Sequence, residues 1–381
     1  MKRLSLIVII IVLLFLYIQA YAEQVLPNNI SFEIKFLLEP SQVLTSNCLL
    51  TEAINHLFST ESEYIPIDVI YLETSDRSFN TEGWINRIRW KAGKKKPECT
   101  YKKRYPVMGN DPASILSTLE KAASDGIDVL SSNCTTQIDW SYSKLTLSLT
   151  WESSGKYKDY LSLKQFNTGD AISYFAKSIP EEENNWITPG WGTETLAHAQ
   201  KVGITTFHRV KGNWEGTDVT FEIAAIPANG NFDYIVELSF KADDYEIAFE
   251  KQRQLVTFLE EKDLLQKSDS LKTQMILDAY LREKPTKPDC ILPELITVVE
   301  AHAFQGCHFQ YVWGGNKLTT IQSEAFAECP YLQYIRFPET ITSIDEDALP
   351  DPDISDLCII GVPGSAADRY ANDYNYDFIP E

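Results

Sequence analysis

The apolar positions of this chain change their spacing several times, and each change predicts a different element. Residues 4–17 form an apolar run interrupted only by Ser5. From about Ile30 to Leu265, apolar and polar residues alternate in short runs, the period of strands with one buried face. Near the end of this region the spacing changes. Tyr245, Ala248, Phe249, Val256 and Leu259 recur at a helical period, which predicts a helix over 244–265. Residues 282–289 combine charge with two prolines and read as a linker. Beyond them the pattern repeats itself. Leu292-Pro293-Glu294-Leu295-Ile296-Thr297 matches Phe337-Pro338-Glu339-Thr340-Ile341-Thr342, Ala303-Phe304-Gln305-Gly306-Cys307 matches Ala325-Phe326-Ala327-Glu328-Cys329, and Phe309-Gln310-Tyr311-Val312 matches Leu332-Gln333-Tyr334-Ile335. A period of about 22 to 23 residues lies in the solenoid range. A unit this short cannot bury its apolar side alone, so stacked copies share one core of Phe, Ile, Leu and Cys.

Several predicted strands carry their charges on one face, because residues two apart point the same way. Glu33 pairs with Lys35 in this sense, Arg87 with Arg89, Lys102 with Arg104, and Arg209 with Lys211. Carboxylates return late in the region at Glu222 and Glu237. An ordinary half-exposed sheet alternates as well, with its charges in water. If the sheet closes on itself with these faces inward, it makes a cationic channel. Arg forks and Lys point charges suit phosphate oxygens, and a few carboxylates among them suit a divalent ion that bridges phosphates. The strand at Leu145, Leu147, Leu149 and Trp151 has a hydroxyl face that lines such a channel or faces water.

The formal net charge is −20, which argues against a nucleic acid or an anionic membrane as main partner, since both are polyanions. Lys2 and Arg3, the apolar run and Ala20-Tyr21-Ala22 together read as an export signal over 1–22. An uncleaved anchor is the other reading, and the only one that involves a membrane. Export implies a secreted, periplasmic or cell-surface location. The seven cysteines are widely spaced, without a CxxC pair, which disfavours zinc. Their odd number leaves at least one thiol over; Cys307 and Cys329 fit the repeat core, and a bridge among Cys48, Cys99 and Cys134 is open. No HExxH, P-loop or GxSxG motif occurs. Lys94-Lys95-Lys96 reads as a hairpin turn, His208 as turned away from Arg209, and Glu181-Glu182-Glu183 as a solvated loop.

The repeats, with their Ile-x-x-Ile, Ala-Phe-x-x-Cys and Leu-x-x-Ile-x-x-Pro pattern, resemble BspA-like leucine-rich repeats, and the end from Ile359 to Ala371 looks like the closing segment of such arrays. That family occurs mostly on bacterial and protist surfaces, and the resemblance implies a protein or cell-surface partner. The charged strands are similar to the CYTH-like, or triphosphate tunnel metalloenzyme, superfamily. Ser31-Phe32-Glu33-Ile34-Lys35 resembles its opening Glu-x-Glu-x-Lys, Tyr71-Leu72-Glu73-Thr74 its Tyr-x-Asp-Thr, and Arg87-Ile88-Arg89 its Leu-Arg-Ile-Arg strand. Thr100-Tyr101-Lys102 resembles its Thr-x-Lys, and Phe221-Glu222 with Val236-Glu237-Leu238-Ser239 its late carboxylate strands. The closing helix then meets Leu271-Lys272-Thr273, as family members often do, and 126–200 reads as an insertion.

The resemblance implies an α+β, mainly β chain: an antiparallel barrel or tunnel of about eight strands over 23–281, a linker at 282–290, and a short leucine-rich-repeat solenoid over 291–381. It implies a triphosphate or polyphosphate ligand held by Lys35, Arg87, Arg89, Lys102, Arg104, Arg209 and Lys211. Glu33, Glu222 and Glu237 would hold Mg²⁺ or Mn²⁺ and serve catalysis, as hydrolysis of a phosphoanhydride. The sequence departs from the pattern where it matters for metal. Ser31 and Ser239 stand where the family has carboxylates, and a hard divalent ion is held by charged oxygens. The phosphate side is better kept than the metal side, which favours binding over turnover. The alternative is a surface adhesion protein without catalytic activity.

Overall fold

A computed structural model describes residues 26–381, apart from 95, 155–162, 164, 165, 167, 229, 230, 282–289, 330, 353, 354 and 356. The predicted export signal and nearly all of the predicted linker lie outside the described residues. Among those described, no helix is long and apolar enough to cross a membrane.

The strands of the first region close into a barrel. They are β1 (Ile30–Leu37), β2 (Ile65–Glu73), β3 (Trp84–Lys91), β4 (Glu98–Val107), β5 (Thr135–Trp140), β6 (Leu145–Ser153), β7 (Gln200–Trp214), β8 (Thr217–Ala228) and β9 (Asn231–Ala242). Their order round the wall is β1-β5-β6-β4-β3-β2-β7-β8-β9. Closure removes both sheet edges, so every strand of the wall has two neighbours. The described residues thus build nine strands where the resemblance implies about eight. One neighbouring pair, β1 with β5, runs parallel; the others are antiparallel. The stretch 126–200, expected to be an insertion, is divided. Its first part supplies β5 and β6 to the wall, and its later helices, which include α2 (Thr168–Phe175), coat the outside.

Side-chain alternation sorts the strands into two faces. One face carries Phe32, Ile34, Ile88, Tyr101, Ile138, Leu147, Phe221 and Leu238. It is covered by α1 (Pro112–Ser124), by α2, and by α4 (Tyr245–Glu261). The α4 helix begins where Asp244 accepts a hydrogen bond from the Ile247 amide at 3.0 Å. It buries Ala248, Gln252, Leu255 and Leu259, one stripe at helical spacing. The other face therefore looks into the barrel. Part of it is apolar: Ile67, Val69, Tyr71, Ile85, Phe207 and Ile235 cluster with Ile276, Leu277 and Ala279 of α5 (Lys272–Tyr280). The α5 helix thus closes the bore at this end.

One sequence expectation fails on the outer wall. Glu183 is not in a solvated loop but fully buried, on the short helix α3 (Glu181–Asn184). Asn86 of β3 donates to it at 2.6 Å. Three glutamates in a row look solvent-bound in sequence, and only packing of the helix against β3 takes the third out of water.

In the C-terminal region, each repeat adds short strands to two parallel sheets. One is β10-β12-β14-β16-β17 and the other β11-β13-β15. They comprise β10 (Cys290–Ile291), β11 (Val298–Val299), β12 (Tyr311–Trp313), β13 (Thr320–Ile321), β14 (Tyr334–Arg336), β15 (Ser343–Ile344), β16 (Cys358–Gly361) and β17 (Asp377–Pro380). Equivalent residues stack in register, Val312 on Ile335 on Ile359 and Ile321 on Ile344. The rings of Phe304 and Phe326 stack at 5.1 Å between centroids. Cys307 and Cys329 stack as the sequence predicts, and Cys48, Cys99 and Cys134 are free thiols, with no bridge among them. Helix α6 (Ala366–Tyr374), capped by Ser365, joins β16 to the edge strand β17 and buries Ala367, Tyr370 and Ala371.

Candidate functional site

The register of the wall places the charged residues. Going round the barrel, Glu33 lies opposite Asp139, Gln137 opposite Ser148, and Ser148 opposite Arg104. Lys102 lies opposite Ile85, Thr100 opposite Arg87, and Arg87 opposite Tyr71. Arg209 lies opposite Glu222, Glu222 opposite Glu237, and Lys35 opposite Ser239. All these residues are on the inner face. Most strands put apolar side chains outward and charged ones inward, and closure turns nine separate faces into one lining; on β2 the inner face is instead apolar at Ile67, Val69 and Tyr71. A turn helps to set this register. Gly83, at φ +75°, leads into β3, where an added Cβ would lie 2.8 Å from the Arg104 carbonyl oxygen.

One part of the lining gathers an excess of cations. Lys35 Nζ lies 2.7 Å from Glu33 and 3.0 Å from Asp139. Lys102 and Arg104 reach the same Asp139 at 3.9 and 4.0 Å. Among the described residues, no carboxylate lies within ion-pair distance of Arg87, and the Nε atoms of Arg87 and Arg104 are buried without a hydrogen-bond partner. Lys35, Lys102 and Arg104 thus share two nearby carboxylates, Glu33 and Asp139, and Arg87 adds a fourth cation beside Lys102 and Arg104.

Their ionisation reflects this crowding. Burial pushes the Lys102 ammonium down to about 7, partly offset by Asp139 and reinforced by Lys35, Arg104 and Arg87. Burial, and then the neighbouring Arg89, lower the Arg87 guanidinium. Burial by itself would raise the Asp139 carboxyl, but Lys35, Lys102 and Arg104, with the hydrogen bond from Ser148, hold it well below the usual carboxylate range. Lys35 goes the other way. Burial opposes its charge, yet Asp139 and Glu33 raise it above the ordinary lysine value.

The remaining predicted cations are differently placed. Arg89 donates to Glu98 and Glu152, its Nε lying 3.0 Å from Glu98. Arg209 donates from Nε to Glu222 at 2.9 Å. Lys211 shares the inner register but is exposed. His208 points outward and is exposed, as alternation predicts. The hydroxyl face of β6 is settled too. Ser148 donates to Asp139 at 2.7 Å, so that face lines the barrel.

The residues expected to hold a divalent ion do not fit one. Lys272, from the first turn of α5, places its ammonium on both Glu222 and Glu237, 2.8 Å from the latter. Gln137 donates to Glu33 at 2.8 Å and to Asp139 at 2.5 Å. Ser31 and Ser239 offer only neutral oxygens in register beside them. Among the described residues, no three His, Cys, Asp or Glu side chains gather as a metal site.

Asp139, Gln137 and the carboxylates Glu98 and Glu152 escaped the sequence reading. For Asp139 the signal was present. Gln137 and Asp139 alternate with Ile138 and Trp140 in the way that marked the other charged strands.

Residues 283–360 match the BspA type leucine-rich repeat region, in 6 copies. No curated protein matches the chain. Among solved structures, the protein is similar to HpAC1 from Hippeastrum, described as having a dominant triphosphatase activity. The two are 14% identical with a TM-score of 0.41, over 66% of this chain and 99% of that one. It is also similar to PH1819 from Pyrococcus horikoshii, at 13% identity and a TM-score of 0.34, over 65% of this chain and 98% of that one. The chain thus carries, at 283–360, a BspA-type leucine-rich repeat region, behind a barrel that resembles the triphosphate-tunnel fold in its strand motifs.

Proposed function

We propose that this is an exported protein whose barrel binds a triphosphate- or polyphosphate-type polyanion, without appreciable turnover, while the repeats engage a protein or cell-surface partner. The barrel spans 23–281 in this reading, 282–290 is the linker and the repeat module is 291–381. What carries the proposal is the cluster of Lys35, Arg87, Lys102 and Arg104 on the inner wall, which outnumbers its carboxylates. A half-buried guanidinium such as Arg87, with its Nε out of water and no acidic partner at ion-pair distance among the described residues, is costly, and a phosphate oxygen is the partner that suits its fork. Inorganic triphosphate offers several such oxygens in a line, so one ligand would satisfy cations from β1, β3 and β4 together.

Binding is favoured over hydrolysis because Lys272, Gln137, Ser31 and Ser239 leave the expected carboxylates without the free charged oxygens that a divalent ion requires. The repeats support the second half of the reading by their family. Such stacked units present a continuous ladder rather than a reactive site.

Titration calorimetry of the full chain with tripolyphosphate, beside sulfate as a simple anion, tests the ligand. The expected result is saturable tripolyphosphate binding that weakens by about tenfold or more in Arg87→Ala, with sulfate far weaker. Equal, weak heats for both anions, unchanged by Arg87→Ala, would remove the phosphate reading. Phosphate release from tripolyphosphate is expected to stay at background.

A further inference from the structure

Glu222 and Glu237 lie directly opposite each other on β8 and β9. Two like charges in that position repel unless a cation lies between them. Here the cation belongs to the chain itself. Lys272 Nζ is 2.8 Å from Glu237 and bonds to Glu222 as well. Its position is fixed from two sides. It stands in the first turn of α5, whose Ile276, Leu277 and Ala279 are packed among inward-facing residues of the barrel. The ammonium also lies over the Phe207 ring, 4.8 Å from its centroid. Its surroundings favour the charged state. Burial would lower the lysine, but Glu222 and Glu237 raise it above its ordinary value. On the other side, burial would raise Glu222, but Lys272 and Arg209 hold it well below the usual carboxylate range.

We infer that Lys272 is a built-in replacement for the divalent ion: its ammonium neutralises the Glu222–Glu237 pair, so that the barrel takes its polyanion without metal. The inference rests on the proposed phosphate reading for its ligand, but not for its statement about metal. An ammonium donates hydrogen bonds and carries one charge, whereas a divalent ion demands several carboxylate or water oxygens around it. The two cannot occupy the same carboxylate pair. With Lys272 in place, phosphate oxygens meet a lining whose own carboxylates are already compensated. A small cavity lined by Lys35, Asp139, Glu237 and Leu271 touches both groups, at Lys35 of the cationic cluster and at Glu237 of the bridged pair.

The test separates the two readings. Mn²⁺ alone is titrated, by its paramagnetic resonance signal, into the wild type, Lys272→Ala and Lys272→Arg. Tripolyphosphate is then titrated into each with chelator and with Mn²⁺. The expected wild type binds no Mn²⁺ at the barrel and takes tripolyphosphate with chelator as well as with the ion, within about twofold. Lys272→Ala gains a Mn²⁺ site that Glu237→Gln removes. Its tripolyphosphate affinity falls about tenfold with chelator and recovers with Mn²⁺. Lys272→Arg, which keeps the cation and guards against a folding defect in the alanine variant, behaves as wild type.

Tight Mn²⁺ binding by the wild type that depends on Glu222 and Glu237, or tripolyphosphate binding only with Mn²⁺, would overturn the replacement while leaving the phosphate reading intact. Failure of tripolyphosphate to bind under any condition would overturn the phosphate reading. The Mn²⁺ titrations would still decide about Lys272.

Discussion

The Asp139 carboxylate lies 3.0 Å from the Lys35 ammonium, and the same carboxylate is the nearest anion to Lys102 and Arg104. One side chain from β5 therefore holds together cations from β1 and β4. Replacing it, as Asp139→Asn, keeps the shape and removes the charge. Breaking a buried pair from one side leaves cations uncompensated, at a cost of about 3 to 5 kcal/mol. The expected variant unfolds at a lower temperature and binds tripolyphosphate more tightly than wild type. Thermal unfolding with and without ligand measures both effects, and an affinity that drops would contradict the role given to Asp139.

Lys102 makes ligand binding sensitive to pH. Burial places its ammonium at about 7, far below an unfolded lysine. Between these two values the unfolded chain binds the extra proton, so the stability contribution of this residue rises with pH through that window. Phosphate binding runs the other way, since it requires the charged form. Tripolyphosphate affinity is expected to fall as pH rises from about 6 to 9. Lys102→Arg, which stays charged, should flatten the profile. Calorimetric affinities across this range check the sign.

Glu183 gives an opposite linkage on the outer wall. Burial pushes its carboxyl up to about 8, moderated by the hydrogen bond from Asn86 and reinforced by Glu73. The folded chain then binds more protons than the unfolded one between the usual glutamate value and about 8, so stability falls as pH rises through that window. Glu183→Gln keeps a neutral partner for Asn86 and should remove this part of the slope. Melting temperatures of the two proteins between about pH 5 and 8 are expected to converge at the acid end and separate, in favour of the variant, at the alkaline end.

In the repeats, Phe326 is fully buried and stacks on Phe304 of the previous unit. Phe326→Ala removes contacts to its neighbours in the stack and leaves a cavity, at a cost of about 3 to 5 kcal/mol. Hydrogen exchange is expected to speed up in amides of residues 290–381, where the ladder bonds run from one unit to the next. Unchanged protection there would mean that the units do not rely on a shared core.

The elements themselves were largely legible. Period two at Phe32, Ile34 and Phe36 and helical spacing from Tyr245 to Leu259 are local properties, set by which side chains can share a face. The repeat at Ala303–Phe304 and Ala325–Phe326 was legible for the same reason, since each copy states the pattern again. The inward charges could be seen in single strands as well, because alternation assigns Lys35, Arg87 and Lys102 to one face each.

Strand pairing is different, because it joins residues far apart along the chain. No local pattern says that β1 lies beside β5, and so none says that Asp139 meets Lys35. The same holds for Lys272, which reaches Glu222 and Glu237 only because α5 packs inside the barrel. Arg89 and Arg209 read as free phosphate ligands until the register supplied Glu98, Glu152 and Glu222 as neighbours. By itself, then, the sequence determined which faces carry charge and which carry apolar groups, because that depends on backbone period alone. Only the tertiary structure decided which charges neutralise one another and which are left over, because Coulomb energy depends on distances that closure of the barrel sets.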